Sequence, residues 1–315
     1  MSEIDYAVEQ EAARRLDQLS NWGRWGKDDE RGLLNVITPA LVARAAGCVR
    51  RGTVYPLGDP VAPGMPGLPG AEPQRVERRA GPIDVFAGGD VIEVEDGIRL
   101  DDIHGATTHV DALCHVGVDT ETLYNDFPAR FGPEGAAALG SEKIGAVVTR
   151  GILVDVARQR GVEHLDRHDL VDAGDLEAGA RAAGVEFEPG DAVLVHTGWR
   201  AVHGRDPAAY NCVQPGIGPS AALLLAERDV ALLGVDNTAI EALNVEGPGT
   251  EDPRARAGVT NHLHPRLIAK LGMYMVELLD LDALAADGVL VFMLCTAPLR
   301  LVGMTGAPVN PVAIA

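Results

Sequence analysis

The sequence predicts an α/β fold in a single domain, with a central mixed β-sheet or barrel flanked by helices, and three observations predict it. Short apolar segments of strand length recur along the chain. Helical patterns with a cap residue or a following glycine separate some of them. Several strands follow one another with no helix between, which a strict βαβ repeat would not allow. A chain of 315 residues, 46% hydrophobic and 23% charged, has enough apolar material for one sizeable core.

Taken in order, residues 4–19 read as an amphipathic helix. Thr38 and Pro39 supply the N-cap and first turn of a second helix, expected to run to about Arg51 ahead of Gly52. Together they make an N-terminal helical segment over about 1–52. From Pro56 to Pro82 prolines and glycines recur, as in PLGDPVAPGMPGLPGAEP, which excludes a regular helix or a central strand. This stretch is expected to be a long loop, a candidate lid or subunit contact. Strands are expected over 90–95, around His109, and over 146–156, 192–196, 230–235, 273–279 and 289–294. Helices are expected over 175–183, 219–228, 265–270 and 282–286. No repeat or linker divides residues 1–315.

Charge and cysteine usage narrow the partners. A formal charge of −19 repels phosphate backbones and anionic lipid, and the short basic run Arg75 to Arg79 is too small to reverse that. No apolar run approaches the roughly 18 to 20 residues that cross a bilayer, and no secretory leader opens the chain. Cys48, Cys114, Cys212 and Cys295 are scattered without a CxxC pair, which fits a reducing cytoplasm. A cytoplasmic protein acting on a small molecule, with neither nucleic acid nor membrane as partner, is expected.

The chemistry concentrates in Thr108-His109-Val110-Asp111-Ala112-Leu113-Cys114-His115. On an extended strand His109, Asp111 and His115 share a parity and project from one side. Two imidazoles and a carboxylate facing one way suit a divalent metal with a proton carrier beside it. The alternative is the solvated face of an amphipathic strand, with Val110, Ala112 and Cys114 buried beneath. His104 lies just upstream, and His262-Leu-His264 and Glu277 are distant candidates for further ligands. Glu277 is embedded in Met273-Tyr-Met-Val-Glu-Leu-Leu, where an unpaired buried carboxylate would cost several kcal/mol, so burial there demands a metal or a cation. Asp236, at the end of a strand, reads as a group orienting a ligand histidine or as a turn residue with Asn237. Trp22, Trp25 and Trp199 read either as the lining of a substrate pocket or as packing anchors. His196 reads as a hydrogen-bonded structural histidine and Cys114 as a small core residue.

Asn21-Trp22-Gly23-Arg24-Trp25-Gly26, followed by Asp28-Asp29-Glu30 and Leu34-Asn35, resembles the opening of the cyclase family of metal-dependent hydrolases, the group containing bacterial kynurenine formamidase and isatin hydrolase. Further matches at Gly190-Asp191 through Trp199, Gly234 to Asn237, His264 to Glu277 and Ala297 through Pro311 extend the resemblance over nearly the whole chain. It implies a kynurenine formamidase-like fold of the swivelling β/α type and a homodimer or higher homo-oligomer. The family signature reads H-x-G-T-H-x-D-x-P-x-H. Carried over, it makes His109 and Asp111 metal ligands and His115 the group that moves protons. Its first histidine falls on Gly105, its glycine on Thr107 and its proline on Leu113, so the chain resembles a divergent branch. His104 sits one residue from the missing ligand, and a bulge at Gly105-Ala106 would turn it back towards the site. The family's second pair is matched by His264, at a helix N-terminus opened by Pro265, and Glu277 on the next strand.

The resemblance thus implies a mixed nitrogen and oxygen set of His109, Asp111, His264 and Glu277, joined by His104 if it is turned in. Zn2+ or Mn2+ suits such a set. Such an ion lowers the pKa of bound water and polarises a carbonyl, while His115, with an unperturbed pKa near 6.5, carries the proton. The expected activity is metal-dependent hydrolysis of an amide, cyclic amide or lactone. The rivals are a metal-assisted dehydratase or cyclase, and a small-molecule-binding relative that has lost the metal.

Overall fold

The strand-length segments assemble into one nine-stranded mixed sheet. In chain order its strands are β1 (Val54–Pro56), β2 (His109–Asp111), β3 (Val147–Asp155), β4 (Ala192–His196), β5 (Leu232–Val235), β6 (Tyr274–Glu277), β7 (Val291–Thr296), β8 (Gly306–Pro308) and β9 (Val312–Ile314). Across the sheet the order is β1-β9-β7-β3-β4-β5-β6-β2-β8. The computed structural model describes residues 4–62, 75–80, 94–100, 102–203, 205–245, 251–260 and 262–315.

Strands β3 to β6 are mutually parallel and form the buried centre. They read as continuous apolar runs because both faces are covered: Ile152, Leu153, Val154, Val193 and Leu233 have no exposed surface. Helices α2 (Pro39–Ala46) and α4 (Ala173–Ala183) both pack on β3, and α1 (Tyr6–Leu16) lies against α5 (Pro219–Glu227). The caps are those the sequence offers. Asp5 accepts from Ala7 and Val8, Thr38 accepts from Leu41, and Asp172 forms a capping box with Asp175. This is a single-domain α/β architecture flanked by helices, as expected.

Topology sets the site. Parallel strands deliver their C-terminal residues, Asp155, His196 and Glu277, to one edge of the sheet. Beyond β6 the pairing turns antiparallel, and Glu277 lies directly opposite His109 while Gly306 lies opposite Asp111. Opposed residues on neighbouring strands have side chains in reach of each other.

Several boundaries differ from the sequence reading. The second helix stops at Ala46, five residues early, because Gly47 already closes its last turn. Residues 75–80, expected as part of the long loop, form a strand paired antiparallel with 94–99. Arg75-Val-Glu-Arg-Arg-Ala holds neither proline nor glycine, so nothing in it opposes extension. The remainder of that loop from 63, and residues 90–93 of the next expected strand, lie outside the described residues. Strand β2 ends at Asp111, and the chain turns so that the His115 amide bonds the Ala112 carbonyl at 2.9 Å. His115 therefore reaches its place by a turn and not by strand parity. Residues 265–270 are helical as expected, but wound as a π-helix.

Candidate metal centre

His109 is fully buried on β2, and its Nδ1 donates to the Thr107 carbonyl at 2.8 Å. That bond fixes the ring with Nε2 turned inward, 3.5 Å from Asp111 Oδ1 and 3.4 Å from Glu277 Oε2. His264, at the start of the π-helix, is fixed the same way. Its Nδ1 bonds Glu241 Oε2 at 2.5 Å, leaving Nε2 3.6 Å from Asp111 Oδ2 and 3.3 Å from Glu277 Oε1. The Ile240 amide donates to Glu277 Oε1 at 2.7 Å. The four side chains that the sequence reading gathered from distant segments therefore converge.

His104 also reaches the cluster, by a device other than a bulge. A one-turn helix, α3 (Ile103–Ala106), is capped by Asp102, whose carboxylate accepts from the Gly105 amide at 3.0 Å. It swings the His104 ring onto Asp111 Oδ1 at 2.9 Å, with its other nitrogen 3.1 Å from Thr305 Oγ1. Both nitrogens are engaged. The ring stacks on His115 with centroids 4.0 Å apart, and His115 Nε2 lies 3.9 Å from Asp111 Oδ1.

The donor set fits a divalent cation. His109 Nε2 and Asp111 Oδ2 are buried with no hydrogen-bond partner, a costly state for polar atoms unless something else satisfies them. One donor atom from each of His109, Asp111 and Glu277 lies within 4.8 Å of the others, and the same holds for His104, Asp111 and His115. Electrostatics agree. Burial opposes the charge on His109, yet Asp111 and Glu277 carry its pKa up to about 10. His264 is likewise held well above its ordinary value, against burial, by Glu241, Asp111 and Glu277. Burial would raise Asp111, but the surrounding histidines hold it well below the usual carboxylate range. Two buried carboxylates thus call for positive charge between them, which a divalent ion supplies without protonating its own ligands. His115 behaves oppositely: burial, aided by His104 and His264 and resisted by Asp111, pushes it down to about 4.

Other expected site residues stand elsewhere. Asp236 accepts from the Thr197 amide and hydroxyl and from the Gly198 amide at 2.7 to 2.9 Å, so it shapes that turn and does not orient a ligand histidine. The three tryptophans combine packing with local polar contacts, and the Arg24 guanidinium lies over the Trp25 ring, 4.7 Å from its centroid. Trp22 and Trp25 lie against the edge of the core, Trp22 donating to the Ala269 carbonyl. Trp199 is buried with Tyr210 and Leu278, its indole N–H on the Tyr210 carbonyl. Cys114 is a small core residue as expected, buried with its thiol on the Met304 carbonyl. Glu241 escaped the sequence reading. Its signal was present, an acid inside the apolar run Ala239-Ile-Glu-Ala-Leu.

No described helix is long and apolar enough to cross a membrane. No curated protein matches the sequence. Among solved structures, one described as a novel cyclase superimposes with a TM-score of 0.81 at 28% identity, covering 94% of this chain and 100% of that one. Isatin hydrolase A from Labrenzia aggregata superimposes at 0.56 with 23% identity, over 85% of this chain and 94% of that one. The enzyme of the same name from Ralstonia solanacearum gives 0.55 and 22%, over 87% and 95%. At these identities the two isatin hydrolases establish a shared fold. The family model Cyclase, described as "Putative cyclase", matches residues 55–242, more than half of the chain and the part that carries His109, Asp111 and His115, and the chain belongs to that family.

Proposed function

We propose that the chain is a metal-dependent hydrolase that opens an amide, a cyclic amide or a lactone. The observation that carries this reading is the pair of bare buried atoms, His109 Nε2, 3.4 Å from Glu277 Oε2, and Asp111 Oδ2, 3.6 Å from His264 Nε2. His109, Asp111, His264 and Glu277 would hold the ion, and their mixed nitrogen and oxygen chemistry suits Zn2+ or Mn2+. Bound there, such an ion lowers the pKa of water and polarises a carbonyl.

The protein's own groups supply the rest. His115 is the proton carrier: its side chain is about a quarter exposed at the mouth of the cluster, and its environment keeps it neutral at pH 7. A neutral imidazole takes a proton from water and returns it to the departing nitrogen or oxygen. The stacked His104 ring fixes the plane of His115. The scattered cysteines suit a reducing cytoplasm, and the family resemblance implies a homodimer or higher oligomer acting on a small molecule.

The test is elemental analysis of the purified protein together with a screen of formamides, cyclic imides and lactones in heavy-oxygen water. Near-stoichiometric zinc or manganese, and solvent oxygen in the product, are expected. Product formed without solvent oxygen would replace the hydrolase by a dehydratase or cyclase. Failure to take up any divalent ion would leave a binding protein.

A further inference from the structure

Glu241 is 4% exposed, and burying a carboxylate is costly unless its oxygens are bonded. Its oxygens go to two consecutive residues: one accepts from the Leu263 amide at 3.2 Å, the other holds His264 Nδ1 at 2.5 Å. The adjoining Ile240 amide donates to Glu277 Oε1. One dipeptide, Ile240–Glu241, therefore grips both members of the downstream pair.

That unit is itself immobilised. The Ile240 carbonyl accepts from the Ile217 amide at 2.9 Å, and the Gln214 side chain bonds the Thr238 amide and the Ala239 carbonyl at 3.1 and 3.0 Å. Gly216 lies beneath Glu241 so closely that a Cβ there would come within 2.3 Å of the Glu241 carbonyl carbon and 2.4 Å of the Ala242 nitrogen. Both are backbone atoms, which cannot swing away as a side-chain tip does. Only glycine permits this approach.

The geometry points to Ile240–Glu241, seated on Gly216, as the positioning element of the metal centre, with Glu241 acting through His264. This inference rests on the metal-binding reading of the site. Glu241 touches none of the facing donor atoms. Its carboxylate keeps the proton of the His264 ring on Nδ1, aims Nε2 at Asp111 and Glu277, and makes that nitrogen a stronger donor to a cation. A purely structural role, tying 241 to the segment that opens the 265–270 helix, would affect folding and leave the affinity of the folded protein for metal alone.

The experiment titrates the metal-free full-length protein with Zn2+ and with Mn2+ against a competing chelator. It compares wild type, Glu241→Ala, Glu241→Gln and Gly216→Ala, with Glu9→Gln as a buried carboxylate that bonds Ser220 instead. Glu241→Ala is expected to weaken binding about 10- to 100-fold. Glu241→Gln should fall between, since its amide oxygen still accepts from Nδ1–H without the charge. Gly216→Ala should weaken binding with Glu241 intact, and Glu9→Gln should not.

In the metal-free protein the nitrogen-15 signals of the His264 ring should change in Glu241→Ala and return towards wild type in Glu241→Gln. A folded Glu241→Ala with wild-type affinity and unchanged ring signals overturns the inference. If Glu241→Ala fails to fold, the isosteric Glu241→Gln decides on the same two readouts. If wild type takes up neither ion, the hydrolase reading and this inference fall together; if wild type binds and a folded Glu241→Ala binds equally well with unchanged ring signals, only the inference falls.

Discussion

The imidazole of His104 occupies the space a side chain at Gly306 would need: a Cβ there would come within 2.6 Å of His104 Cε1 and 3.0 Å of the Val110 carbonyl oxygen. The missing side chain on β8 is what lets α3 lay a histidine on Asp111. Gly306→Ala should therefore push the ring off Asp111 and Thr305 and destabilise the fold by about 1–3 kcal/mol, the usual cost of overpacking. Denaturant unfolding measures it. Trimming the obstacle in Gly306→Ala/His104→Ala should recover part of that loss, and strict additivity of the two single changes would mean that the ring does not feel position 306.

His115 and Asp111 are separable by what each loses. His115 contributes no atom to the His109, Asp111 and Glu277 group, so His115→Ala should retain metal at wild-type stoichiometry while turnover falls by about 10²–10⁴, the range of general acid–base catalysis. Asp111 belongs to both candidate groups, and Asp111→Ala should lose metal and turnover together. Metal analysis beside a rate assay distinguishes the two. Wild-type turnover in His115→Ala would remove the proton carrier.

What could be read from the chain follows how each signal is encoded. Glu277 was legible because an acid inside an apolar run must be buried and paired, and the same logic applied to Ala239-Ile-Glu-Ala-Leu would have found Glu241. His104 was legible as a candidate but not in its route. A four-residue helix capped by Asp102 has too few residues to show a period, so the turn looked like an interrupted strand. Strand parity named the right face for His109 and Asp111 and failed for His115, since nothing in Ala112-Leu-Cys announces that β2 stops at Asp111. Asp236 was misplaced because its partners, Thr197 and Gly198, lie in the turn just past the end of the neighbouring parallel strand β4, and lateral strand order is set by tertiary packing.

His196 should give the protein a pH-dependent stability separate from the candidate metal centre. Its Nδ1 lies 2.8 Å from Asp155 Oδ1 and its Nε2 3.4 Å from Asp282 Oδ1. Burial opposes the charge, but Asp155, Asp282 and Asp236 carry its pKa up to about 10 from an ordinary 6.5. A raised histidine stabilises fully below about pH 6.5, and the contribution is lost as pH rises towards 10. Asp155 is held below its ordinary value, against burial, chiefly by His196, so its contribution is present above about pH 4 and lost in acid. His196→Ala should cost about 3–5 kcal/mol at pH 6, as for a broken buried pair. Urea unfolding of both proteins from pH 6 to 10 should show the gap narrowing, and a constant gap would rule out the charged pair.

Arg254 ties the segments around Asp169, Gln214 and Asp252 together. Its guanidinium has no exposed surface and is forked onto Asp252, with Nη1 on the Asp169 and Gln214 carbonyls at 2.9 Å each. A single ammonium cannot reproduce that fork, so Arg254→Lys should be destabilising, and Arg254→Met more so, by about 3–5 kcal/mol with Asp252 left buried. The consequence extends to metal. Gln214, held through its carbonyl by Arg254, uses its side chain to fix Thr238 and Ala239, the residues that lead into Ile240–Glu241. Arg254→Lys at a temperature where it remains folded should therefore also bind zinc or manganese more weakly than wild type. Unfolding midpoints and a metal titration on one preparation check both halves. Loss of stability with unchanged affinity would place Arg254 outside the chain of contacts that ends at His264.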